Sequence, residues 1–148
     1  MDAHIEGVRV AGTSEGPLPA VLIGVDGEGD VLPIFIGFDE AVSIARGLDA
    51  NGIGRPLTHD LTLDIIEELG GRVERVVISD LQEGTFIADL HLDTPRSSEV
   101  IDARPSDSLA LVSRTNAPIE VAPEVFEEGR RDPEDFEEMQ DIREVTEL

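Results

Sequence analysis

The 148 residues suit one domain, long enough to bury a core without disulfide or metal staples. Thirty-three Asp and Glu stand against 11 basic residues, all of them Arg, for a net charge of −22. That balance offers no broad basic surface for nucleic acid or anionic lipid, and the absence of Cys excludes a disulfide framework and a thiolate metal site.

With five Phe and no Trp or Tyr, the core must rest on Val, Ile, Leu and Ala. The acids are spread along the whole chain, and Lys, ordinarily among the commonest residues, is missing. Such a surface predicts work at molar salt, where the Debye length is roughly 3 Å and self-repulsion is screened. The first residues carry no basic region followed by an apolar run, and no stretch approaches a membrane span. The expectation is a cytoplasmic protein with no membrane partner.

Alternation over Ile5 to Ala11 predicts a first strand, followed by a turn-rich stretch from Gly12 to Pro19. Ala20 to Val25 and Val31 to Ile36 read as a hairpin around Asp26-Gly27-Glu28-Gly29-Asp30, with Pro33 marking an edge strand or a bulge. Asp39 is a plausible cap for a helix over Glu40–Ala50, with Val42, Ile44, Ala45 and Leu48 inward, and Asn51 to Gly54 end it. A second helix, capped by Thr58 or Asp60, is expected to bury Leu61, Ile65, Ile66 and Leu69 and to stop at Gly70-Gly71.

A second strand block follows: one strand through Val73, Val76 and Ile78, a turn at Glu83-Gly84, a strand over Thr85–Leu92, and a third over Ser97–Ala103. Pro105 opens a helix carrying Leu109, Leu111 and Val112. Ile119 to Val121 is a short strand, and Pro123 starts a helical turn. From Gly129 the chain turns strongly acidic, and Phe136, Met139, Ile142 and Val145 recur every third residue. Residues 129–148 are read as an acidic tail or a terminal helix docked on a domain of residues 1–128. The order of elements predicts an α+β fold with a mixed, mainly antiparallel sheet and about three helices besides that tail.

No phosphate-binding glycine loop, zinc helix or nucleophile elbow is present. Two weaker constellations remain. In Arg55-Pro56-Leu57-Thr58-His59-Asp60-Leu61, adjacent His and Asp at a helix start could work as a base or ligate a divalent metal; an acid capping the helix beside a bystander His explains the pair as well. In Asp102-Ala103-Arg104-Pro105-Ser106-Asp107-Ser108, an Arg before a helix N-terminus suits a phosphate; Ser106 and Asp107 serving only as caps, with Arg104 paired to Asp102 or Asp107, is the alternative.

These two segments, with Leu32-Pro33-Ile34-Phe35-Ile36-Gly37, Glu40-Ala41, Gly84-Thr85-Phe86-Ile87-Ala88, Ile101 to Leu111 and Pro118-Ile119, resemble the bifunctional nuclease domain family over roughly residues 5–128. The chain looks like a haloarchaeal-type member. The resemblance implies a self-associating α+β domain, a dimer as first expectation, that cleaves DNA and RNA, with Mg²⁺ or Mn²⁺ as the implied cofactor. On the matched positions, Arg55, Arg104 and Ser106 would hold phosphate, and His59, Asp60, Asp107 and Glu40 would supply the catalytic groups. Arg114 could converge with Arg55 and Arg104 on one pocket. The alternative is a non-catalytic dimeric interaction module or a phosphate- or nucleotide-binding regulatory module.

Overall fold

The computed structural model describes residues 1–49 and 55–146. Strands β1 (Asp2–Thr13) and β2 (Gly16–Val25) form one long antiparallel hairpin. The turn between them is only Ser14-Glu15, closed by the Thr13 hydroxyl donating to the Gly16 carbonyl at 2.6 Å. The turn-rich stretch expected over Gly12 to Pro19 is therefore mostly strand. Pro17 and Pro19 fit because β2 has only β1 as ladder partner there.

Strand β3 (Val31–Phe35) returns after the Asp26–Asp30 turn, in which Gly27 takes φ +83°. It is the outermost strand of its half of the sheet, which is where Pro33 is tolerated. Helix α1 (Phe38–Asp49) starts one residue before the expected Asp39 cap, with the Ala41 N–H donating to the Gly37 carbonyl at 3.0 Å. The residues Asn51 to Gly54, expected to end it, lie outside the described residues.

Helix α2 (Thr58–Glu68), strands β4 (Arg72–Gln82), β5 (Thr85–Asp93) and β6 (Ser98–Ala103), helix α3 (Pro105–Thr115), strand β7 (Ile119–Val121) and helix α4 (Pro123–Gly129) follow. The sheet order is β3-β2-β1-β7-β4-β5-β6. Every pairing is antiparallel except β4 with β7. The fold is thus the expected α+β arrangement with a mixed, mainly antiparallel sheet. β7 joins the two meanders, and α3 reaches it by packing across α1, β4 and β5.

The main core runs through Val21, Ile23, Ile44, Val76, Ile78, Leu109, Val112 and Phe126. Two expected stripes turn out differently. In α1 the buried residues are Ala41, Ser43, Ile44, Ala45 and Gly47, while Leu48 is exposed. In α2 only Leu63 is fully buried, and Leu61, Ile65 and Leu69 face solvent.

The C-terminal segment is not one helix. It is a 3₁₀ turn (Pro133–Phe136), a two-residue strand β8 (Gln140–Asp141) on β1, and a one-turn helix α5 (Ile142–Val145). Phe136 packs on Leu22 and Val31, and Ile142 enters the main core. Leu22 alternates with Val21 and Ile23, so period two places it on the opposite face, where Phe136 covers it. The three-residue spacing was real, but Pro133 and the Asp132 and Asp141 caps break the segment into short pieces. No described helix is long and apolar enough to cross a membrane.

Candidate functional site at the meeting of three helices

Three local features aim side chains at one cleft. Glu40, Ser43 and Arg46 recur every third residue and share one face of α1. Leu57 is extended, with φ −88° and ψ 174°, and α2 starts at Thr58, so His59 falls in its first turn. Pro105 takes the first position of α3, leaving Arg104 just outside the helix and Asp107 in its first turn, with no side chain capping the end. The cleft holds about 440 Å³ and is lined by Glu40, Ser43, Arg46, His59, Arg104 and Asp107, among others.

The His59 ring is clamped from both sides. Nδ1 lies 2.6 Å from Ser43 Oγ, and Nε2 lies 2.9 Å from Asp107 Oδ1. Ser43 Oγ also accepts from Arg114 Nη2 at 3.1 Å. Its own proton is then free for His59 Nδ1, which in the neutral ring places the imidazole proton on Nε2, facing Asp107. Arg114 further donates to Asp60 Oδ1 at 2.7 Å and to the carbonyls of Ser43 and Ala110 at 2.9 and 2.8 Å. Arg104 grips Asp107 with two bonds, at 2.8 and 3.1 Å, and stands 3.6 Å from Glu40. One network thus links Glu40, Arg104, Asp107, His59, Ser43, Arg114 and Asp60.

The charges follow from these contacts. The hydrogen bond from Arg104 holds the Asp107 carboxyl below its ordinary value; burial works against this and the bond from His59 adds to it. For Asp60, burial pushes the carboxyl up, but Arg114, the Leu57 N–H and the charge of Arg46 together bring it below the ordinary value. Asp107 pushes the Arg104 guanidinium upward.

Of the residues singled out in the sequence, Glu40, His59, Arg104 and Asp107 meet at the cleft. Asp60 does not line it. Its carboxylate accepts from the Leu57 N–H at 2.8 Å and from Arg114, so it fixes the start of α2 to α3. Arg55 is exposed, lies outside the cleft lining and makes no hydrogen bond or ion pair among the described residues. Ser106 faces a neighbouring groove that Arg104 separates from the cleft. Arg114 joins the network from below, through Ser43, rather than in the cleft itself.

Sequence reasoning missed Ser43. The available signal was a lone hydroxyl within the buried run Ala41, Ile44 and Ala45, since a buried polar group requires a partner. The implied Mg²⁺ or Mn²⁺ finds no resident cage: among the described residues no group of three His, Asp or Glu is placed to hold a metal ion. Two of the cleft's acids, Glu40 and Asp107, are engaged by Arg104 instead, and no step below is routed through a metal.

The bifunctional nuclease domain model matches residues 21–134, which contain every residue of this network. An uncharacterized protein of Mycobacterium tuberculosis is 46% identical over 123 residues, covering 81% of this chain and 70% of that protein. Bifunctional nuclease 2 of Oryza sativa subsp. japonica and bifunctional nuclease 1 of Arabidopsis thaliana are each 28% identical over 109 residues, covering 71% of this chain and 34% of the plant protein. None of these relatives is haloarchaeal. On the matched span and the mycobacterial likeness together, the chain belongs to the bifunctional nuclease domain family.

Proposed function

We propose that the cleft hydrolyses phosphodiester bonds of nucleic acid, with Asp107 as the proton acceptor. The observation that carries this reading is the double grip of Arg104 on Asp107 beside the His59 ring. Arg104 is largely exposed and its guanidinium can swing to a phosphate, to which it offers a planar two-point fork. Asp107 then loses the partner that most depresses its pKa and becomes a better base.

Water attacks phosphorus, and the new P–O bond forms as the ester P–O bond breaks. The proton of the water passes to Asp107, and Asp107 returns it to the leaving oxygen. His59 is a positioning residue that holds Asp107 through Nε2–H, while Ser43, Arg114 and Asp60 hold His59. Glu40, on the far side of Arg104, sets where the guanidinium rests before substrate arrives.

A second reading has its own support. Both carboxylate oxygens of Asp107 and both ring nitrogens of His59 already have protein partners, which suits a module that binds phosphate or nucleotide without cutting. Cleavage of labelled single- and double-stranded DNA and RNA in molar KCl, with Mg²⁺, Mn²⁺ or EDTA, separates the two. The nuclease reading expects cutting by the parent that Asp107→Asn and Arg104→Ala abolish with the fold intact. Cutting that survives both substitutions, or none in any condition, removes it. The metal arms test whether Mg²⁺ or Mn²⁺, brought with substrate oxygens, is needed at all.

The chain is further inferred to self-associate as a dimer through β6, an outer strand whose residues are exposed up to Asp102 and which, among the described residues, pairs only with β5. The acidic surface without Lys supports a protein suited to high salt.

A further inference from the structure

We propose that the groove on the other side of Arg104 is a nucleobase subsite, in which Phe35 stacks on the base attached to the phosphate that Arg104 holds. This rests on the reading of the cleft as a phosphate site and names what else of the ligand is recognised.

The groove holds about 530 Å³ and shares Arg104 with the cleft, so one residue borders both. Its apolar walls come from Leu18, Phe35 and Phe86, and its floor from Pro105 and Ser106 at the start of α3. Phe35 ends the outer strand β3 and is 52% exposed; the other four Phe are buried or half-buried. Exposing an aromatic ring beside a cationic fork has a use if a flat ring covers it.

Charge points the same way. In a chain of net charge −22, the 11 residues lining this groove include no carboxylate and one Arg. It is a largely apolar slot free of carboxylates, whose one cation, Arg104, is paired with Asp107 until it swings to an anionic ligand, whereas the cleft is lined by Asp39, Glu40 and Asp107.

The groove also presents two side-chain hydroxyls, those of Thr85 and Ser106. Ser106 is 6% exposed, and its hydroxyl has no hydrogen-bond partner among the described residues. A hydroxyl at the floor of a largely apolar slot, open to the groove and not held by a protein acceptor, fits the polar edge of a heterocycle. No side chain caps α3, so its N-terminus adds a favourable field for the phosphate between base and cleft. A planar ring with a polar edge and an attached phosphate answers all of these features at once.

The test uses adenosine 5′-monophosphate and ribose 5-phosphate, which share sugar and phosphate, differ in the base, and contain no diester to cleave. Binding is measured by calorimetry on the full chain in molar KCl. The chain has no Trp, so Phe35→Trp also provides a single fluorophore at the groove. The adenosine compound is expected to bind about tenfold more tightly than the sugar phosphate and to quench that fluorophore. Phe35→Ala should remove the advantage and leave ribose 5-phosphate affinity unchanged, and Arg104→Ala should weaken both. Equal affinities in the parent, or an unchanged advantage in Phe35→Ala, overturn the subsite while a loss of both ligands in Arg104→Ala keeps the phosphate site. Binding indifferent to Arg104→Ala, or no binding of either compound, overturns the phosphate site and the subsite with it.

Discussion

His59 Nε2 stands 2.9 Å from Asp107 Oδ1, joining the first turns of two helices that lie 48 residues apart in the chain. The contact makes Asp107 the hinge of the site, since Arg104 reaches the same carboxylate from the solvent side. Asp107→Asn keeps the shape and removes the proposed base, so it should lower cleavage by roughly 10²–10⁴-fold with little change in melting temperature. His59→Ala should lower cleavage as well and also destabilise the fold by about 1–3 kcal/mol, because it leaves the proton of the Ser43 hydroxyl without its acceptor. Single-turnover rates beside urea melts distinguish these two signatures.

The second prediction concerns Arg114, whose side chain is 10% exposed and carries the underside of the site. Arg114→Leu leaves Asp60 Oδ1 without its charged donor and removes a donor from the Ser43 carbonyl, and should cost about 2–4 kcal/mol; one-third exposure of Asp60 keeps the figure below that of a fully buried pair. The pH dependence follows from the depressed carboxyls of Asp60 and Asp107. Below the ordinary carboxylate value the unfolded chain binds these protons first, so their stabilisation is complete above that value and is lost as pH falls through the folded values. Acidification also relieves the net negative charge, so the diagnostic quantity is a difference. The gap in unfolding free energy between parent and Asp60→Asn should be constant from pH 7 to pH 5 and shrink below about pH 4.

How much of this was legible beforehand varies with the kind of signal. The strands were readable because Val73, Val76, Ile78, Ala88, Leu90 and Leu92 are apolar where one sheet face is buried. His59, Arg104 and Asp107 were readable as residues, because each stands at a helix start marked by Pro. Their convergence was not, since the crossing of α1, α2 and α3 depends on the order of strands, which local pattern does not contain. Asp60 was assigned to the chemistry although its carboxylate reaches back to the Leu57 N–H, a bond available to any acid at that helical position. Leu61, Ile65 and Leu69 were expected in the core because a helical stripe of Leu and Ile reads the same whether the surface it meets is the chain's own or another's.

Gly47 explains how α1 and α3 come close enough for Ser43 to share Arg114 with Asp60. A Cβ there would collide with the Ser113 hydroxyl and stand 3.0 Å from the Ser113 Cβ and 3.1 Å from Arg114 Nη1. Gly47→Ala gains helix propensity, yet the forced separation should prevail and cost about 1–3 kcal/mol. Because the displaced atoms belong to the Arg114 network, activity should fall along with stability. Chemical denaturation and turnover of the same preparation check this, and an unchanged midpoint would show that the helices separate freely.

The charge composition makes its own prediction. Thirty-three acids and no Lys leave the folded chain self-repelling in dilute buffer. Raising KCl from 0.1 M to 2 M should raise the melting temperature, by about 2–4 °C for each kcal/mol of repulsion removed. Scanning calorimetry across a KCl series, with NaCl as a second salt, measures it. A melting temperature indifferent to salt would mean that the 11 Arg already neutralise the surface locally.

The last prediction follows from β6. Ile101 lies opposite Leu90, a core residue of β5, so its side chain is on the buried-face side of the sheet, yet it is 45% exposed because no strand lies beyond. Leu61, Ile65 and Leu69 recur every fourth residue along the flank of α2 opposite Asp60, which faces α3. The end of α2 comes down beside the β5–β6 turn, where a Cβ on Gly70 would stand 2.9 Å from Pro95 Cγ. A second copy related by a two-fold axis at Ile101 would extend the sheet antiparallel. Ile101 would meet its own equivalent, Glu99 would face Ala103, and Asp102 would face Val100, so no acid would stand opposite another acid. Sedimentation in molar KCl should therefore give twice the 16.0 kDa chain mass. Ile101→Lys should give the monomer, because it places two ammonium groups against each other at the axis. Leu18→Lys, equally exposed but on β2 at the other end of the sheet, should leave the dimer intact. A parent that sediments as a monomer at all concentrations would show that this edge and stripe do not receive a second copy.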